Sequence, residues 1–433
     1  MPPPRTNRRT VFAWSTYDFA NSAFTTLVVT FIYSTYFSSE SFSGDPTRGT
    51  VLWSRGITLT ALVVAVLSPY LGAIADRGGL RKRFLFTSTL ICILATVALY
   101  FPQPGQLVTA LVIFVVANVA FELGNVFYNA FLPDIAPREQ MGRVSGYGWS
   151  LGYAGGLICM AMALFLFVQP ATPPFGLSRE LGQNVRATNL LVAVWFAVFS
   201  LPLFLWVREQ RHEAVEGIGS IIRSANAQFR STFHEIRRYR QIFRLLIARL
   251  IYNDGLVTIF AFGGIYANTE FGFSFEEVLL FGIVINVCAG VGAFLFGFVD
   301  DLIGGKRTLL VTLVGLTVAA VIAVTAQSRA MFWVAGVLIG LLVGPNQSAS
   351  RSLMGRFVPD TRENEFYGFF AFSGKFASFL GPLTLGLVLD ATGSHRLSVA
   401  SIIVFFVVGG LLLLRLNEAE GIAASVAAES PTS

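Results

Sequence analysis

Five ionisable side chains fall inside long apolar stretches of this 433-residue chain: Asp18, Glu122, Arg249, Asp254 and Lys375. A charge in such a stretch is expensive in a bilayer. It persists where it faces a protein-lined cavity, pairs with another charge or carries a proton. Glu122 is the clearest case, because Asn118, Glu122, Asn125 and Asn129 fall at i, i+4, i+7 and i+11, along one face of a helix. Asp18, Asn21 and Thr25 repeat the pattern nearer the start. Asparagines alone could be interhelical glue; a stripe that also holds a carboxylate predicts a cavity wall. Lys375 is singular in another way. The chain has 28 Arg and three Lys, and the other two, Lys82 and Lys306, occupy near-equivalent places in a duplicated loop. A buried Lys can exchange a proton and an Arg cannot. Lys375 therefore reads either as an anion-binding or coupling group or as one half of a fixed ion pair. Lys375 or Arg249 could hold the carboxylate of a zwitterion, and Asp18 or Glu122 its ammonium. One of those carboxylates, or Asp254, could carry a coupling proton.

Residues of this kind need membrane helices to position them, and the composition supplies them. The chain is 54% hydrophobic and 13% charged, about half the charge of an ordinary soluble domain. Apolar stretches long enough to span a bilayer are expected near 11–37, 52–75, 84–101, 107–132, 144–169, 187–207, 241–268, 275–299, 307–327, 330–350, 364–390 and 396–416. Spans 3, 6, 9 and 12 carry no charge through their middles, so every third span is fit to face lipid. With the amino terminus in the cytoplasm, loops on that side hold 22 of the 31 Lys and Arg, against six on the other. This predicts both termini inside, in a multi-pass protein of a bacterial inner (cell) membrane. The net charge of +6 then reflects topology, and nucleic acid is not an expected partner. Four regions follow: a six-helix bundle over 1–207, an amphipathic cytoplasmic linker over 208–240, a second six-helix bundle over 241–416, and a disordered cytoplasmic tail over 417–433. Within the linker, Ile218, Ile221, Ile222, Ala225, Phe229, Phe233 and Ile236 recur at helical spacing.

The two bundles are related by a repeated signature. Gly72-x3-Asp76-x4-Arg81-Lys82 recurs 225 residues later as Gly297-x3-Asp301-x4-Lys306-Arg307. Pro133-Asp134 matches Pro359-Asp360, and Gly146 matches Gly368. Duplicated helical halves are a common plan of secondary transporters. The glycines allow close helix approach. Asp76 and Asp301 can meet helix N-termini or Arg side chains, with Arg143, Arg351 and Arg356 as partners. Together with Arg77, Arg81, Lys82, Lys306 and Arg307 they are expected to form a conformational latch that does not touch solute. Cys92, Cys159 and Cys288 lie singly within apolar segments and read as small apolar filler. His212, His234 and His395 fall in loops or at span ends, and no metal spacing, nucleophile elbow or nucleotide loop is visible. An enzyme and a cofactor are therefore not expected.

The run from Gly72 to Lys82 resembles the loop 2–3 signature of the major facilitator superfamily, with Leu80 where a basic residue is more usual. Within it the chain is similar to the vacuole-effluxer-like family and its bacterial relatives. Tyr17-Asp18-Phe19-Ala20-Asn21-Ser22-Ala23-Phe24, Leu132-Pro133-Asp134-Ile135, Arg143-Val144-Ser145-Gly146, Pro345-Asn346-Gln347-Ser348-Ala349-Ser350-Arg351-Ser352 and Ser373-Gly374-Lys375-Phe376 carry that likeness. Gly148-x3-Gly152-x2-Gly155-Gly156 resembles the superfamily's antiporter motif without its proline and with one residue of spacing missing. The resemblance implies an all-α membrane protein of twelve helices in two pseudo-symmetric bundles. It also implies a cavity lined mainly by helices 1, 4, 7 and 10, rocking of the halves, a monomer, and amino-acid efflux as in the fungal members. The expected partners are the bilayer, a small solute and a coupling ion, H⁺ or alternatively Na⁺. Export of amphipathic or lipid-like solutes is the alternative, and a non-transporting sensor a more remote one.

Overall fold

The computed structural model describes residues 7–209, 227, 239–375 and 380–429, apart from the side chains of residues 77, 78 and 275. The linker helix expected over 218–236 lies outside the described residues. The first half contains α1 (Arg8–Ala23, continued by a π-helical stretch Phe24–Phe31), α2 (Pro46–Gly78), α3 (Arg81–Ala98), α4 (Leu107–Asn129), α5 (Met141–Ala163, continued by a π-helical stretch Leu164–Val168) and α6 (Gln183–Trp206). The second contains α7 (Arg240–Phe271), α8 (Phe275–Ile303), α9 (Gly305–Thr325), α10 (Arg329–Phe357), α11 in two described pieces (Glu363–Lys375 and Leu380–Thr392) and α12 (His395–Leu414). Ten of these are long and apolar enough to cross a membrane by length and composition alone. The other two, α1 and α3, open with basic residues, Arg8-Arg9 and Arg81-Lys82-Arg83.

Local chemistry sets the ends. Asp45 caps α2 by accepting from Thr47 N at 2.9 Å, with Pro46 as the first helical residue. A reciprocal Ser274–Glu277 capping box starts α8. The repeated loops reverse the chain at Gly79 (φ 58°) and Gly304 (φ 90°), equivalent positions where a side chain would be strained. Lys82 Nζ donates to Val207 O (2.6 Å) and Lys306 Nζ to Leu414 O (3.0 Å), so each loop lysine caps the last helix of its own half. Neither lysine crosses between the halves, and Arg307 is exposed. The two lysines tie the loops to their own bundles instead of joining the two halves.

Each half has its own apolar core. One core runs from Ala13 to Val207, and another from Tyr239 to Leu416 that admits only Val126 and Ala130 from the first half. Stripes such as Phe86, Leu90, Ile91 and Leu94 on α3, and Val311, Val314, Val318 and Val321 on α9, are exposed. Apolar side chains in that arrangement fit a lipid-facing surface. The tail departs from expectation. In place of disorder, α13 (Glu418–Glu429) packs at the end of the bundle that holds the termini. Glu418 Oε1 and Oε2 accept from Gly305 N and Lys306 N, each at 3.0 Å. Gly421 lies flat on the ring of Phe357, and Ser425 is buried. The small residues that mimic low complexity are what let this helix lie close.

Candidate functional site

The halves meet along two seams, α2 against α11 and α5 against α8, both tight at the end that holds the termini. Glycine makes the approach possible. A Cβ on Gly72 would strike the Asn364 carbonyl, and one on Gly146 would lie 2.5 Å from Ala293 O. Gly297 packs against Gly142 O and Arg143 Cα, each 3.0 Å from where a Cβ would stand.

At these seams the repeated aspartates act alike. Asp76 of α2 accepts from Asn364 N (3.0 Å), Asn364 Nδ2 (2.6 Å) and Glu365 N (2.9 Å), at the start of α11. Asp301 of α8 accepts from Gly142 N (2.8 Å) and Arg143 N (3.3 Å) at the start of α5, and from Arg143 Nε (2.5 Å). Each carboxylate thus sits on the helix N-terminus of the opposite half, where unpaired N–H groups and the helix dipole favour an anion. Arg81 ties the first seam, bonded to Ala130 O (2.8 Å), Asp134 (2.7 Å) and Glu363. Arg356 ties the second by donating from Nε to Arg138 O (3.1 Å), while it is held within its own half by Asp300 (2.7 Å), which also accepts from Ser352. Sequence reasoning missed Glu363 and Asp300. The signal for Asp300 was its place directly before Asp301; none marked Glu363. The side chain of Arg77 lies outside the described residues.

One layer deeper, Arg351 of α10 crosses into the first half. Its guanidinium donates to Asp18 Oδ2 (2.9 Å), Asn129 Oδ1 (3.3 Å), Ser145 Oγ (2.9 Å) and Ser145 O (2.7 Å). It also lies over Trp14, 4.8 Å from the ring centroid. Asp18, expected in a cavity wall, is therefore half of a buried pair that closes the path.

The next layer holds most of the remaining candidates. Asn21 donates to Asn125 Oδ1 (3.0 Å), and Lys375 Nζ meets Glu122 Oε1 at 2.7 Å across the halves. Arg249 is turned into its own half. It donates to Phe370 O (2.8 Å) and Ser373 Oγ (3.1 Å) and stacks on the Phe370 ring at 3.7 Å. Asp254 accepts from Gly381 N (2.6 Å), at the start of the second piece of α11. Asn118 is buried.

Beyond this layer, at the end away from the termini, the halves part around a cavity of about 830 Å³. One wall is hydroxyl-rich: Ser22, Thr25, Thr26, Thr30 and Thr35. Trp149, Tyr153, Leu157 and Met160 of α5 form another, with Leu279, Gly282 and Asn286 of α8 opposite. Of the residues expected to line a cavity, Thr25 lies in this wall, whereas Asp18, Asn21, Asn118, Glu122, Asn125, Asn129, Arg249, Asp254 and Lys375 do not. Thr25, Thr26 and Thr30 belong to the π-helical stretch after α1, which shifts the helical phase beyond Ala23. An apolar chamber of about 170 Å³ adjoins the cavity and shares Phe31, Phe260, Leu279, Gly282 and Asn286 with it.

Comparison with known proteins gives consistent results. The family model described as "Vacuole effluxer Atg22 like" matches residues 47–425. The uncharacterised MFS-type transporter YxiO of Bacillus subtilis (strain 168) is 29% identical over 410 residues, covering 94% of each chain. Among solved structures, the major facilitator superfamily transporter FucP in its outward conformation superposes with a TM-score of 0.75 at 13% identity, over 94% of this chain and 98% of that one. The proton:xylose symporter XylE gives a TM-score of 0.71 at 13% identity, over 97% and 98%. At that identity the likeness to the two solved structures carries the fold alone.

Proposed function

This chain belongs to the vacuole effluxer Atg22-like family and is a membrane transporter of the major facilitator fold, and on that premise we propose that it moves a small metabolite by proton-coupled alternating access. The favoured solutes are amino acids or similar zwitterions, exported from the cytoplasm. The observation that carries the proposal is the one-sided opening: a large cavity at one end, and two latched seams with a buried Arg351–Asp18 pair at the other. Rocking the halves about the middle layer would exchange the two ends. With the termini in the cytoplasm, the conformation described is outward-open, the chain works as a monomer, and the latch is cytoplasmic.

The Glu122–Lys375 pair is the proposed solute locus. It spans the two halves, it offers one charge of each sign, and Lys375 keeps 38% of its side chain exposed. A zwitterion can replace each partner of such a pair with its own opposite charge, so entry of solute exchanges one set of charge-assisted bonds for another. The hydroxyls of α1 would then solvate the polar end of the solute. The family description favours efflux, and the ionisable groups buried in the spans, Asp254 among them, favour proton coupling. Na⁺ is the alternative coupling ion. The apolar side chamber favours a second reading, export of amphipathic or lipid-like solutes.

Purified protein in liposomes loaded with labelled amino acids separates these readings. Flux driven by an imposed pH gradient, lost in Lys375→Ala, is the expected result. Flux of hydrophobic compounds that amino acids do not inhibit would replace the first reading with the second. No amino-acid flux from folded wild type would remove the first.

A further inference from the structure

Asp254 is a buried carboxylate that neither the latch nor the solute locus uses. It lies near the middle of α7, is 1% exposed, and has no ion-pair partner among the described residues. One carboxylate oxygen, Oδ2, accepts from Gly381 N, while Oδ1, also buried, has no hydrogen-bond partner. The other two carboxylates near mid-span are neutralised in place, Asp18 by Arg351 and Glu122 by Lys375.

Among the described residues, the surroundings offer Asp254 no free cation. On α7, Arg249 is one turn earlier and is spent on Phe370 O, Ser373 Oγ and the Phe370 ring. On α11, Lys375 is bonded to Glu122, and Asp390 is exposed near the far end. From α12, Phe405 and Phe406 pack beside Gly255, while His395, Arg396 and Arg415 sit at the helix ends. On α10, Arg351 and Arg356 serve Asp18 and Asp300, and Arg329 is at the far end, bonded to Glu277. Glu276 and Glu277 at the start of α8 are likewise remote. A lone buried carboxylate with a single N–H donor is poorly compensated for stability, and such groups in membrane helices mark proton paths.

We propose that Asp254 is the proton site of the transport cycle, separate from the Glu122–Lys375 locus, and that its protonation controls how the second piece of α11 packs on α7. The inference rests on the proton-coupled reading above. Oδ1 can take a proton without breaking the Gly381 bond, because no hydrogen-bond partner among the described residues occupies it. The charged form suits the conformation described, since Oδ2 accepts from Gly381 N of α11 at 2.6 Å and a charged acceptor strengthens that bond. Protonation removes the charge assistance to that bond and loosens the contact, linking proton uptake to movement of α11. The fit is close: a Cβ on Gly381 would strike Thr258 Oγ1, so a small displacement there changes the packing at once.

Infrared difference spectroscopy of the full chain in liposomes, between high and low pH, tests this directly. Wild type and Glu122→Gln should show a protonated-carboxyl C=O band that titrates, and Asp254→Asn should lose it. Should the Asn variant fail to fold, Asp254→Glu keeps an acid and must shift the band. A band that survives Asp254→Asn, one that is unmoved in Asp254→Glu, or no titrating band in wild type overturns the assignment. Counterflow of a labelled amino-acid mixture without a pH gradient, run on the same samples, tests the transport reading by itself. Asp254→Asn should retain counterflow while losing gradient-driven flux, and retained gradient-driven flux also overturns the assignment.

Discussion

Arg351→Ala removes a side chain that joins three helices of the first half to the second. In the structure it forfeits four hydrogen bonds, to Asp18, Asn129 and twice to Ser145, and it leaves Asp18, 9% exposed, without its cation. Deleting one partner of a buried ion pair costs about 3–5 kcal/mol, chiefly through the stranded charge. Because Arg351 and its partners lie on opposite halves, that penalty falls on the conformation closed at the termini and on no other. At about 1.4 kcal/mol per factor of ten, even the lower bound shifts the equilibrium toward opening at that end by roughly 100-fold. Ser348→Cys reports the shift in a chain whose native cysteines are replaced: Ser348 is 2% exposed, and its carbonyl accepts from Ser145 Oγ. With opening faster than labelling, modification of Cys at this position by a membrane-impermeant thiol reagent should quicken about 100-fold in Arg351→Ala. Asp18→Asn keeps the shape but strands the buried Arg351 cation in the same way, so a rise of the same order, about 100-fold, is expected. A rate within twofold of the parent, in a variant of unchanged melting temperature, would refute the assignment of Arg351 as the closing tie.

Further outcomes follow from the same geometry. Gly146→Ala pushes on Ala293 O across the halves and should raise Ser348→Cys labelling with little change in melting temperature. Gly344→Ala, which meets the Ala289 carbonyl within the second half, should instead lower the melting temperature, overpacking costing about 1–3 kcal/mol. Glu418→Ala uncaps α9 and should cost about 1 kcal/mol in thermal unfolding; removal of α13 entirely should cost more. Lys375→Met alone strands the carboxylate of Glu122 and should destabilise the chain. Adding Glu122→Gln should restore stability in a double-mutant cycle without restoring amino-acid flux.

The sequence exposes those features that depend on local pattern. Apolar length, the repeat at 225 residues and the uncharged stripes of every third helix give the two bundles and their lipid faces, because each is written in neighbouring residues. What escaped depends on partners far apart in the chain. Asp18 and Arg351 are 333 residues apart, and nothing in either segment names the other. Polarity at helical spacing marked Asp18, Glu122 and Arg249 as special but could not distinguish a cavity wall from a closed seam or an intra-half bond. Thr25 of the cavity wall was marked by its spacing from Asp18, but Thr26 and Thr30 were hidden by the π-helical stretch after Ala23, which breaks the 3.6-residue phase on which face assignments rest. The tail misled for a different reason: its Ala and Ser composition resembles disorder, while the order comes from one capping carboxylate and from small residues packing on Phe357.

Alternation of the two ends is the central claim, and paired spin-label distances test it most directly. One pair would span the open cavity between Thr35 and Leu279, the other the latched end between Arg143 and Leu302, in liposomes with and without an amino-acid mixture at low pH. The account predicts that the population with a shortened cavity distance grows together with a population whose latched-end distance has lengthened. Two ends that stay fixed, or that open and close together, would contradict it.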